Sequence, residues 1–387
     1  MTPPDESTLQ QTTHTIPALD GYPLGAVVIE PAAPRWVMQL QGGTGIPREL
    51  YLKFARFAAA RGVAVVLYDY RGVGASRPPK LRGFEAYMRW WGERDMPGVL
   101  EWIKRRYPLL PRTILGHSAG AQLLGLMPNH ADVTAVAAIA AGSGYWRELQ
   151  RPYRYFSLLV WLGLHPVFSP VLGYFPGKLL GLGEDLPVGV ITEWRDWCLH
   201  GPYIGNRLAS TMPNHQYHAF RAPIRAWAFT DDPIAHPDST RELFRLFKRA
   251  EVTVVPVTPQ EAGLAEIGHV GFFRSRSQAA SNTYNPELIS LTAPSSSVAS
   301  LRSTIRSTVP ASSRITRPRW AGSIASTATS AIAASSSRRA SRSSVRRDAS
   351  RSGASPVRTR ISSTSSGRAA RAAAIASPVP RGSDWRA

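Results

Sequence analysis

The chain has 387 residues, 43% of them hydrophobic and 11 of them Trp, enough to bury a sizeable core in one large domain or two small ones. A formal net charge of +20 invites a nucleic-acid reading, but residues 276–387, with 18 Arg and 3 acidic residues, supply +15 of it and leave an ordinary +5 on residues 1–275. A lone cysteine, Cys198, excludes an internal disulfide framework, and residues 1–7 have neither the basic start nor the apolar run of a secretory signal, so the expectation is a protein of the reducing cytoplasm.

In chain order, Arg35-Trp-Val-Met-Gln-Leu reads as a short apolar strand ending at Gly42-Gly43. Leu50, Tyr51, Phe54, Phe57 and Ala58 then fall on one helical face, with Pro47 suited to the first turn. The run Val63-Ala-Val-Val-Leu-Tyr, with three β-branched valines, predicts a strand covered on both faces of a parallel sheet. A helix is predicted over 85–106, a strand over 112–115, a helix over 119–126 and a strand over 133–140. After a long insertion come a strand at 224–229, a helix at 239–250 with Leu243, Phe244 and Phe247 inward, and a last strand at 252–257. This alternation predicts an α/β fold, a mostly parallel sheet with helices on both faces. Past about residue 275 the composition turns to Ser, Ala, Arg and Thr, as in Ser336-Ser337-Arg338-Arg339-Ala340. Such a stretch buries too little apolar surface to offset chain entropy of about 1–2 kcal/mol per residue, so 276–387 is expected to be a disordered tail. Its lack of Lys is also the trace that a shifted reading frame would leave. A solvated extension outweighs an arginine arm for nucleic acid as its reading.

Gly116-His117-Ser118-Ala119-Gly120 fits the pattern G-x-S-x-G, in which a strand turns sharply into a helix and lifts the serine hydroxyl to the edge of the sheet. The pattern is common by chance, but here it sits between a predicted strand and a predicted helix. A serine hydroxyl needs a base, and the base needs an orienting acid, following in the order Ser, Asp or Glu, His. Asp231-Asp232-Pro233-Ile234 follows one strand and Gly268-His269-Val270-Gly271 follows the last, so Ser118, His269 and one of the two aspartates are the candidates. Asp232 is preferred, with Asp231 left as a capping or loop-bonding residue. The oxyanion donors expected are the amide of Ala119 and one from Gly42-Gly43-Thr44-Gly45, with Thr44 ahead of Gly43.

These residues resemble the α/β-hydrolase superfamily, and Asp69-Tyr70-Arg71-Gly72-Val73-Gly74-Ala75-Ser76 is similar to its D-x-R-G-x-G-x-S turn, a structural element. The likeness is to a bacterial group of predicted α/β hydrolases related to serine aminopeptidases and monoacylglycerol lipases, carried also by Gly144-Tyr145-Trp146, Gly173 to Lys178, Glu184-Asp185-Leu186-Pro187 and Gly268 to Arg274. It covers residues 17–274 and implies the hydrolase fold and a Ser-His-Asp triad, but no particular substrate. Two departures stand out. Gln41-Gly42 replaces the common His-Gly. The final helix that such proteins place after the histidine loop is missing, which predicts an exposed core face and a poorly anchored His269.

Residues 144–220 fall where this superfamily inserts a cap, and they are rich in large apolar groups such as Trp161, Phe175, Trp194 and Trp197. Most are expected to pack the cap down, the rest to line an apolar pocket. The apolar stretch 156–168 within it is judged too short and interrupted to cross a bilayer, which takes about 20 residues. Cys198 reads as a packed cap residue, and the i, i+3 pair His215 and His218 lacks the companions of a metal site. The expectation is therefore a serine hydrolase of residues 1–275 acting on a small acyl substrate without metal or cofactor, of unknown oligomeric state. Its alternatives are a non-catalytic binding protein, or a nucleic-acid partner acting through the tail.

Overall fold

The computed structural model describes residues 8–274; the predicted tail lies outside them. Apolar runs with no polar alternation become the centre of the sheet. Strands β3 (Trp36–Gln41) and β4 (Val63–Tyr68) are buried at every position, and β5 (Arg112–His117), β6 (Ala135–Ile139) and β9 (Ile224–Phe229) nearly so. The edge strand β10 (Val252–Val257) is only half covered. Two N-terminal strands, β1 (Gln10–Pro17) and β2 (Pro23–Glu30), precede the first predicted one; β2 was missed despite its apolar run Ala26 to Ile29. β1 is polar and largely exposed because it has one neighbour and one outward face, so no apolar run marks it. The eight strands order as β1-β2-β4-β3-β5-β6-β9-β10, with β2 antiparallel to both of its neighbours, β1 and β4, and all other pairs parallel.

Helices cover both faces, as the alternation predicts, and divide the core into two apolar layers. A 3-10 turn (Arg48–Tyr51) follows Pro47 and leads into α1 (Leu52–Ala59), which buries Phe54 and Phe57 on one face. On the other lie α2 (Met88–Trp90), a π turn (Trp91–Asp95) and α3 (Met96–Arg106), continuous in place of one regular helix. The helix after β5 is shorter than predicted, α4 (Ala119–Gln122) tightening into a 3-10 turn (Leu123–Leu126). The turn after β4 is structural. The buried Asp69 carboxylate accepts the amides of Arg48 and Ala75, at 2.8 and 2.9 Å, and Arg71 pairs with Asp20 and Asp95.

The insertion between β6 and β9 holds α5 (Tyr153–Leu159), a π turn (Val160–Leu164), α6 (His165–Leu172), the short pair β7 (Tyr174–Phe175) and β8 (Leu186–Pro187), α7 (Val188–Leu199) and α8 (Leu208–Thr211). Trp161, Phe175, Trp197 and Cys198 are buried in its core, the Cys198 thiol pushed well up by that burial. Downstream, α9 (Pro237–Phe244) starts earlier and ends sooner than predicted. One expectation is corrected. The stretch 156–168 lies inside a continuous 20-residue helix, Tyr153–Leu172, which by length and composition is long and apolar enough to cross a membrane. The helix runs on through two prolines: Pro166 sits in the first turn of α6, directly after the π turn, where a missing amide costs little, and Pro170 lies inside α6.

Candidate active site

Parallel strands send their following loops to one edge of the sheet, and the candidate residues arrive there on four such loops, after β3, β5, β9 and β10. The β3–β5 register pairs Gln41 with Gly116, which sets the Gly42-Gly43 loop against His117 and Ser118. Ser118 adopts φ 50° and ψ −115°, a conformation that L residues avoid at a cost of about 1–3 kcal/mol. Its flanking glycines explain why the turn is possible. A Cβ at Gly116 would meet the Ala121 nitrogen at 2.7 Å, and one at Gly120 would meet the Gln41 carbonyl oxygen at 2.3 Å. Either would force the turn open.

Asp232 follows β9 and His269 follows β10. The His269 Nε2 lies 3.1 Å from Ser118 Oγ, and its Nδ1 lies 2.8 Å from Asp232 Oδ2. A carboxylate only accepts, so Nδ1 carries the proton and Nε2 is free to take one from the serine. The other Asp232 oxygen accepts the amides of Ile234 and Ala235 at 2.8 and 3.0 Å, in a fully buried position. Burial pushes this carboxyl up, but the His269 ring and these hydrogen bonds outweigh it and leave the group below its ordinary value. Asp231 faces elsewhere: its Oδ2 accepts the amides of Ile267 and Gly268 at 2.7 and 3.0 Å and pins the base of the His269 loop.

A second chain of hydrogen bonds passes behind the first, and sequence reasoning missed it. His117 is buried, and desolvation, with repulsion from His269, lowers it to about 3, so its ring is neutral near pH 7. Its Nε2 lies 2.9 Å from the His269 carbonyl oxygen, which can only accept, so that nitrogen bears the proton. Nδ1 then accepts from Tyr51 Oη at 2.8 Å, and Tyr51 Oη accepts the Gly43 amide at 2.8 Å. The direction of every bond is thereby set, running from the loop after β3 to the backbone of the loop after β10. The one sequence signal was the histidine at the second position of the Gly-x-Ser motif, beside a tyrosine on an inward helical face.

That same bond removes one oxyanion candidate from use, because the Gly43 amide is already donated. The amides of Thr44 and Ala119 have no acceptor among the described residues. The expected weakness of His269 is also corrected. Phe272 and Phe273 plunge into the core layer beside α1. Phe273 packs edge-on to Tyr51 at 4.8 Å and to His117 at 5.0 Å, and Phe272 stacks on Phe229 at 6.0 Å. For possible cofactors, His215 and His218 have rings 4.9 Å apart, and no group of three or more His, Cys, Asp or Glu able to hold a metal occurs among the described residues.

The model of the family described as serine aminopeptidase, S33, matches residues 32–172, a segment that includes β3, the serine turn and the start of the cap. Together with the strand order and the serine turn, this decides the superfamily. The chain is an α/β-hydrolase. This α/β-hydrolase is similar to several solved structures at low identity. A brefeldin A esterase, a bacterial homologue of human hormone sensitive lipase, aligns at a TM-score of 0.48 and 17% identity, covering 76% of this chain and 78% of that one. An esterase of Pyrococcus furiosus aligns at 0.46 and 15%, covering 74% and 92%, and the esterase domain of a Rhodothermus marinus protein at 0.43 and 17%, covering 71% and 94%. Comparison with curated proteins finds no match.

Proposed function

We propose that this α/β-hydrolase cleaves an ester or other acyl bond of a small apolar substrate through Ser118, His269 and Asp232. The observation that carries the reading is the serine Oγ 3.1 Å from an imidazole whose far nitrogen sits 2.8 Å from a buried carboxylate. Ser118 Oγ attacks the carbonyl carbon as its proton passes to His269 Nε2. The tetrahedral adduct collapses, and the departing alcohol or amine takes that proton. Water then attacks the acyl-enzyme, giving its proton to His269, and Ser118 Oγ leaves with that proton as the acid is released. Asp232 stays ionised and balances the transient imidazolium. The free amides of Ala119 and Thr44 are our choice for the oxyanion. The acyl group would sit against apolar cap residues, which enter near the site where the Glu184 amide donates to the Gly45 carbonyl at 2.8 Å.

A fluorophosphonate probe tests the reading. It should label the wild-type chain stoichiometrically and leave Ser118→Ala unlabelled, whereas an unlabelled wild type would mark a binding protein on a hydrolase scaffold. A panel of p-nitrophenyl esters of rising acyl length then sorts the substrate class. We place the enzyme in the cytoplasm, on the strength of its single, buried thiol.

A further inference from the structure

The helix Tyr153–Leu172 is apolar on its outward face, while its inward face mixes the core residues Val160 and Trp161 with polar groups. Its inward positions include His165 and Ser169, whose side chains bond each other at 2.8 Å, with Thr192 Oγ1 3.3 Å from the second ring nitrogen. Its outward positions are Tyr155, Phe156, Leu159, Leu162, Val167 and Val171, between 43% and 68% exposed. No Asp, Glu, Lys or Arg occurs from residue 155 to 172. A water-facing helix ordinarily shows the opposite pattern, and an apolar stripe of this length marks a surface that is covered in use.

We propose that this face docks on a lipid bilayer surface containing anionic phospholipid. Charge around the stripe points to that occupant. Arg147, Arg151 and Arg154 precede the helix or open it, and Arg82 reaches its far end, donating to the Val171 carbonyl at 2.7 Å. Against them Glu148 is the one acid between residues 144 and 183. Cations flanking an uncharged apolar strip, with Tyr153 and Tyr155 at one end, match headgroup phosphates beside acyl chains. The helix lies along such a surface and does not cross it, because Val160 and Trp161 are packed into the core and Arg195 Nε donates to the Trp161 carbonyl at 2.7 Å. At 20 residues it would present about 30 Å of contact. Docking also turns the candidate site toward lipid. Just before the helix, the Gln150 amide donates at 3.0 Å to the carbonyl of Pro233, the residue after Asp232.

The test is co-sedimentation of the full chain with vesicles of phosphatidylcholine alone and of phosphatidylcholine with phosphatidylglycerol. It reads binding and not turnover, so it fails or succeeds independently of the proposed hydrolysis. The wild type should pellet with the mixed vesicles, and Leu159→Asp/Leu162→Asp should weaken that binding by at least about tenfold, since two apolar side chains lose their burial in lipid. Leu109→Asp, at an apolar position 92% exposed outside the cap, should bind as the wild type does. Both leucines of the double variant are already solvent-facing, and circular dichroism checks that the fold survives. The proposal falls on any of three results: no pelleting of the wild type, equal pelleting of the double variant (binding by the arginine-rich tail), or a lipid-free dimer in ultracentrifugation that the double variant abolishes.

Discussion

At the residue scale, two neighbouring aspartates have separate tasks that geometry distinguishes. Asp232→Asn should drop turnover by about 10⁴, because the amide can present a donor to His269 Nδ1 and fix the wrong tautomer. Asp231→Asn keeps an oxygen for the two loop amides and should cost far less; the ratio of kcat values in an ester assay checks this. His117 makes a pH prediction. Its proton affinity falls from an ordinary 6.5 to about 3 on folding, so between those values the unfolded chain binds a proton that the native chain does not. Stability from this group is complete above pH 6.5 and declines as pH falls, by about 1.4 kcal/mol per pH unit. Asp69 and Asp95, each raised to about 6 by burial, act in the opposite sense: their contribution is complete below 3.8 and is lost as pH rises through 6. Comparison with His117→Gln isolates the histidine. The stability of the wild type minus that of the variant, from urea unfolding, should rise with pH by about 1.4 kcal/mol per unit between about pH 3 and 6.5 and then level off, and parallel curves would place the proton elsewhere. Ser118, His269 and the two aspartates could be picked from the sequence by motif and chain order, and the fold brings Ser118, His269 and Asp232 within hydrogen-bond reach. The Gly43–Tyr51–His117–His269 chain was not legible there, because it joins groups 8, 66 and 152 residues apart that only a folded sheet brings together.

At the element scale, the loop that carries His269 is held by aromatic packing where poor anchoring was expected. Phe273→Ala should therefore destabilise the chain by about 3–5 kcal/mol. Because that ring also touches Tyr51 and His117, it should lower kcat more than KM rises. Thermal melting and steady-state kinetics on one preparation would show whether the two losses travel together. The serine turn carries a second expectation. Gly120→Ala places a methyl 2.3 Å from the Gln41 carbonyl oxygen, so the turn has to shift and probe labelling at Ser118 should slow even where the protein remains folded. Elements with strong periodicity, the buried strands above all, were read correctly from the sequence. The edge strand β10 was read as well, but the opposite edge was not, since the polar β1 with its one neighbour has no apolar run. Nor were the π turns after Trp90 and Leu159, which depend on tertiary packing and leave no pattern in composition.

At the scale of the whole molecule, charge is divided unequally, with most of the excess lying beyond residue 275. The full chain should elute from a polyanion column at higher salt than a chain ending at residue 275; equal elution would mean that the arginines beyond that point are neutralised by partners. Sequence by itself determined the alternation of central strands and helices, the apolar strands and the short list of candidate side chains, because periodicity and turn chemistry act over a few neighbouring residues. Tertiary structure alone decided which loops share an edge, which way each hydrogen bond behind the serine points, and which side of the cap helix faces water. Those are outcomes of strand register and packing between distant segments, and no local window of residues contains them.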